Sequence, residues 1–155
     1  MLWIRALYLL ALAVWIGSIV FFSFVGAPSI FKSLPPEYAG KAVSAIFPKY
    51  YPLGTIAGFV VLFCLIFSTV KTGQWPILKI LLIAVMLTIN IYSSLMTHPR
   101  VRALKEEIQT ATESTDLQHL QAEFEKAHRA SVINNGTVLV LGLVLILVTA
   151  RGLTL

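Results

Sequence analysis

Four apolar runs, at roughly residues 2–30, 53–70, 76–97 and 131–150, set what this chain can fold into. Each is long enough for an α-helix to cross the hydrocarbon core of a bilayer, which takes about 20 apolar residues. A helix satisfies its own backbone polar groups there, where no water can do so. The chain has 155 residues, 57% of them hydrophobic and 12% charged, too few polar groups to clothe a soluble domain. The expected fold is an all-α integral membrane protein: an antiparallel bundle of four transmembrane helices, one domain over residues 1–155.

The first run exceeds the length of a signal-peptide core and reads as a retained helix, kinked or ended near Gly26 and Pro28. The second holds "GTIAG", a GxxxG match at Gly54 and Gly58, which reads either as a close helix approach or as chance in a glycine-tolerant span. "KTGQWP" is a short turn with Trp75 at the interface. Residues 36–48 place Tyr38, Ala39, Ala42, Val43, Ile46 and Phe47 on one helical face, with Glu37, Lys41 and Ser44 on the other. Pro35 and Pro36 suit a helix start and Pro48 a stop, so this segment is expected to be an amphipathic helix on the membrane surface; the alternative is a lid over a site between the helices.

Residues 98–130 hold six of the seven acidic residues and so belong outside the hydrocarbon. Val101, Leu104, Ile108 and Ala111, then Leu117, Leu120, Phe124 and Ala127, step by three, four and three, the spacing of a coiled-coil seam. "TESTD" between them offers Ser114, Thr115 and Asp116 for a turn and helix cap. The expectation is a protruding helical hairpin in which Leu104 faces Phe124 and Ile108 faces Leu120.

Net charge is +5. The side carrying the hairpin has Lys32, Lys41, Lys49, Arg100, Arg102, Lys105, Lys126 and Arg129; the other has Arg5, Lys71, Lys79 and Arg151. Basic loops favour the cytoplasm, which puts the hairpin there and both termini outside, in the cell inner membrane if the source is bacterial. The same balance argues against nucleic-acid binding. A single cysteine, Cys64, excludes an intramolecular disulfide and a multi-cysteine zinc site. No nucleophile–base set or phosphate loop is present, so no enzymatic reaction is implied.

Carried inward, the hairpin spacing reaches Thr97, Ser94 and Asn90 on the third span and Ser131, Asn134 and Val138 on the fourth, with Ser94 opposite Asn134. Asn135 widens this polar cluster. Polar groups in hydrocarbon must bond to one another or line a wet cavity, so the cluster is either glue between helices or a path for a solute or ion. His98 and His128 flank its mouth, and Glu125 with His128 forms an E-x-x-H step. Such steps bind metals in some bundles, but one alone equally describes a charged helix surface. No cofactor is required; a metal or haem is compatible with these residues.

The motifs "FKSLP" and "FPKYY" (Phe31, Ser33, Leu34, Pro35, then Gly40, Phe47, Pro48, Tyr50), with Asn90, "HPR" and "FEKAHRASVINN", resemble the transmembrane protein 205 family of small multi-pass proteins. The resemblance runs from about residue 15 to 150 and implies a four-helix membrane bundle, without implying a mechanism. The leading functional expectation is handling of a small solute or metal ion, by transport or as an accessory, through Asn90, Ser94, Ser131, Asn134, Asn135 and His128. The alternatives are a scaffold whose hairpin docks a partner protein and a haem or redox-metal protein. The expected partners are the bilayer, a protein at residues 98–130, and further copies of the chain.

Overall fold

The computed structural model describes residues 1–111 and 114–151, without the side chains of residues 114 and 115. Every regular element among them is helical: α1 (Leu2–Phe21), α2 (Ala27–Ser33), α3 (Pro36–Thr72), α4 (Ile77–Tyr92), α5 (His98–Thr110) and α6 (Ser114–Ala150). Two π-turns, Phe22–Gly26 and Ser93–Thr97, join α1 to α2 and α4 to α5. The result is four long helices, each long and apolar enough to cross a membrane.

The π-turns have an identifiable cause. Ala27 N–H bonds back to Phe22 O and His98 N–H to Ser93 O, and in each case the next residue is a proline, Pro28 or Pro99. A proline ring has no N–H and collides with the carbonyl four residues before it; widening the preceding turn by one residue relieves this while the helix continues. The expected kink at Gly26 and Pro28 takes this form.

The expected separate surface helix at 36–48 does not form. Residues 36–48 are helical, starting after Pro35, but α3 runs unbroken through Pro48 and Pro52 to Thr72. Each proline removes one backbone hydrogen bond, a loss that a helix packed on both sides tolerates. Both proline rings face outward, while Tyr50, Tyr51 and Ala57 pack inward. α3 ends at Gly73, whose φ of 71° is the left-handed conformation that closes a helix C-terminus.

α1 packs against α3, α3 against α4, α4 against α6, and α6 against α1, which closes a ring. The helices run antiparallel. Tyr8 meets Thr149 at one end of α1, while Ser23, beyond its other end, meets Asn135. Trp15, Val61, Ile83, Met86 and Leu145 fill the centre. In lipid, water is not expelled by this contact; close packing and dispersion hold the helices together. "GTIAG" is a cradle for an indole ring. A Cβ on Gly58 would lie 2.7 Å from Trp15 Cζ3 and 2.5 Å from Leu87 Cδ2, so Trp15 lies where only glycine leaves room. Phe24, Phe59, Phe63, Leu81 and Leu147 point outward, as lipid-facing side chains do.

α5 and α6 pack side by side beyond this core, and Arg100 reaches Glu123 across them at 3.2 Å. All eight seam positions are buried or half-buried, and most residues between them are exposed. Of the "TESTD" turn, Thr112 and Glu113 lie outside the described residues, and α6 begins at Ser114.

Candidate functional site, a polar belt inside the bundle

About four helical turns separate Tyr8 from Ser23, the next polar side chain of this first span that ties it to another helix, and there the bundle's side chains become amides and hydroxyls. Asn135 sits at the crossing. Its amide oxygen accepts from the Tyr50 hydroxyl at 2.7 Å, and its amide nitrogen donates to Ser23 Oγ at 3.0 Å. One side chain of α6 thereby ties α3 to the π-turn after α1.

Asn134, the neighbouring residue, faces the third long helix. Its amide nitrogen donates to Ser93 Oγ at 3.2 Å and lies 3.5 Å from Thr97 Oγ1. The partner is Ser93, buried, where the regular spacing expects Ser94, which is only half-buried. Thr97 lies inward as the spacing expects. Ser93 and Ser94 sit on either side of the line from Asn90 to Thr97, and the packing against α6 selects Ser93.

Deeper in the bundle, the Asn90 amide nitrogen donates to Tyr51 O at 3.1 Å and to Thr55 Oγ1 at 2.8 Å. These bonds join α4 to α3 on either side of Pro52. The Asn90 amide oxygen accepts no hydrogen bond among the described residues. Nearby is the one buried side-chain donor among them that lacks a partner, Trp15 Nε1, on a residue with no exposed surface. Both atoms flank Gly54: a Cβ there would be 3.0 Å from Trp15 Nε1 and 3.1 Å from Asn90 Oδ1. Trp15 is about two helical turns from Tyr8 and from Ser23, near the middle of the bundle.

An aromatic cluster covers the belt. Phe22, Phe47, Tyr50 and Tyr51 pack against one another, mostly edge to face or tilted, while Phe47 and Tyr51 stack with centroids 5.6 Å apart. The half-buried His98 ring joins them, 4.7 Å from Phe47 and 5.9 Å from Tyr51. Ser131 is half-buried. His128 is exposed and lies parallel to the Phe124 ring at 5.9 Å, and Glu125 is exposed. No three His, Cys, Asp or Glu side chains among the described residues are grouped to hold a metal, so His98, Glu125 and His128 do not assemble as a ligand set. The E-x-x-H step lies on the outer surface of α6, and His98 is turned into the aromatic cluster.

Of the motif residues, Phe31, Ser33, Leu34 and Pro35 are exposed around the link from α2 to α3, and Pro48 is exposed on α3. Tyr50 and Tyr51 of "FPKYY" enter the belt, as do Asn90 and the Asn134–Asn135 pair of "FEKAHRASVINN". Ser23, Thr55, Ser93 and Trp15 take part as well. Ser23 is marked in the sequence as the one hydroxyl in "FFSFVG", and Trp15 by the glycine pair that receives it.

An all-helical bundle of four helices that can cross a membrane, tied by hydrogen-bonded amides in its interior, is the architecture of an integral membrane protein. The chain belongs to the family described as "Domain of unknown function (DUF4149)", whose model matches residues 10–110. It is also similar to an uncharacterized protein of Aquifex aeolicus (strain VF5), 45% identical over 58 residues. That match covers 37% of this chain and 42% of the relative, so the chain spans less than half of the relative's length. No solved structure matches.

Proposed function

We propose that the polar belt handles a small, uncharged, hydrogen-bonding solute within the membrane, with Trp15 Nε1 as donor and the Asn90 amide oxygen as acceptor. The unpartnered Trp15 N–H carries this reading. An unsatisfied donor in a low-dielectric interior is costly, of the order of 1–3 kcal/mol, and calls for an explanation. A ligand that bonds to both atoms supplies one. The belt residues carry no formal charge, which favours a neutral solute over a metal ion. The hydroxyls of Tyr50, Tyr51 and Ser23 belong to the same belt and could pass a solute on toward the His98 side, since each can act as donor or acceptor. The resemblance to the transmembrane protein 205 family supports the multi-pass arrangement and leaves the solute open.

The basic bias of the loops favours a cytoplasmic α5–α6 hairpin. A second reading, a scaffold whose charged hairpin surface docks a partner, draws on the inward-turned apolar seam.

The test is flux into proteoliposomes of the full chain, with urea and glycerol as probes and stopped-flow light scattering as the readout. Entry faster than in protein-free liposomes, reduced several-fold by Asn90→Leu, is the expected result. Entry no faster than in protein-free liposomes for both probes overturns the reading.

A further inference from the structure

The first turns of α3 and the middle of α5 enclose a groove of about 350 Å³, outside the polar belt. Three cations from the two helices line it: Lys41 from α3, and Arg102 and Lys105 from α5. Its apolar wall is Ala45 and Pro48, on the part of α3 that leads into Tyr50 and Tyr51. We propose that this groove binds the phosphate of an anionic lipid headgroup.

The carboxylates near the groove leave it positive. Glu106 lines it but is held by Arg102, Nε to Oε1 at 2.9 Å, and Lys41 pairs with Glu37 at 2.7 Å. Lys105 makes no ion pair among the described residues, although it is half-buried. Its ammonium lies against Gly40, where a Cβ would collide with Nζ. The glycine therefore lets a lysine of α5 lie down onto the backbone of α3 inside a groove that already has two other cations. The Glu37 carboxylate is near enough to feel the Lys105 charge but does not bond to it; a phosphate between Lys41, Arg102 and Lys105 would give the ammonium a bonded counter-charge. Ser44 lines the same wall, its hydroxyl turned to Gly40 O at 2.7 Å.

The position favours a lipid over a dissolved anion. Lys41 is exposed, whereas Phe47, two turns on, packs into the aromatic cluster, so the groove lies where the bundle passes from charged to apolar surroundings. Basic pockets at that depth meet lipid phosphates, and the apolar wall suits the glycerol and the first acyl carbons. The volume matches a headgroup-sized ligand.

The experiment measures lipid binding by the full chain in detergent, by native mass spectrometry and thermal unfolding, with phosphatidylglycerol, phosphatidylcholine or inorganic phosphate added. Phosphatidylglycerol is expected to bind in preference to phosphatidylcholine and to raise the unfolding temperature. At about 1 kcal/mol per cation, Arg102→Gln with Lys105→Gln should weaken that binding by roughly thirtyfold. Lys71→Gln with Arg151→Gln, an equal charge loss elsewhere, should leave it unchanged. The double variant should unfold at the wild-type temperature in phosphatidylcholine, which separates lost binding from lost folding. Equal binding of the two lipids, equal loss in the two double variants, or the full effect from inorganic phosphate alone would each overturn the proposal.

Discussion

Tyr50 of α3 donates its hydroxyl to the amide oxygen of Asn135 on α6 at 2.7 Å, and the same amide donates to Ser23 at 3.0 Å. Tyr50→Phe removes one bond and leaves the amide oxygen unpaired, while Asn135→Leu removes both. Hydrogen bonds between membrane helices are worth about 0.6 kcal/mol on average, with a maximum near 1.7. Tyr50→Phe should therefore cost about 1 kcal/mol, and the double variant should cost less than the two single losses combined. Reversible unfolding in mixed micelles measures the coupling; strictly additive losses would contradict the bond.

The register of the belt separates two adjacent serines. Ser93→Ala should destabilise the bundle by roughly 1 kcal/mol through Asn134, and Ser94→Ala should be close to neutral. The reverse order would mean that Asn134 bonds to Ser94 instead.

These serines show how far the belt could be read from residues alone. Asn90, Asn134 and Asn135 stand out because amides in apolar spans must find partners, and all three do. Ser93 and Ser94 both fit a three-and-four step between Asn90 and Thr97, so spacing alone does not choose between them. The widened turns are marked by Pro28 and Pro99, which follow them. The long α3 was hidden for a related reason: Pro48 is a strong stop in a soluble helix, but packing against α1 and α4 carries this one through. Tyr50 and Tyr51 read equally as interface anchors, because two tyrosines after a proline do not show which way they face. His128 was drawn to the cluster by nearness in sequence, and the helical turn puts it outside.

Gly58 tests the packing around Trp15. A methyl group there would meet Trp15 and Leu87 at under 3 Å. Gly58→Ala should displace the indole and cost about 1–3 kcal/mol. With Trp3 and Trp75 changed to Phe, the Trp15 emission should shift to the red. An unchanged spectrum with unchanged stability would contradict the cradle.

Sidedness is checked at Gln118, an exposed position on α6. With Cys64→Ala in place, Gln118→Cys should react with an impermeant thiol reagent only after intact cells are permeabilised. Reaction from outside intact cells would reverse the orientation.

Trp15→Phe keeps the aromatic packing and deletes the unpartnered donor. Losing the costly donor partly offsets the cavity that the smaller ring leaves in the cradle, so stability should fall by no more than about 1–3 kcal/mol. Flux of the probe solute should fall several-fold. Unchanged flux would show instead that the N–H does not serve the solute.

Hydrogen–deuterium exchange at the Trp15 indole tests the central claim most directly. The measurement uses the full chain in nanodiscs, with Trp3→Phe and Trp75→Phe and a nitrogen-labelled indole. The account predicts that this N–H exchanges much faster than the backbone amides of the neighbouring residues Ile16 and Ile19, because small polar molecules reach it along the belt. Exchange as slow as those amides would mean that the centre of the bundle is closed to solutes, and that the belt only holds the helices together.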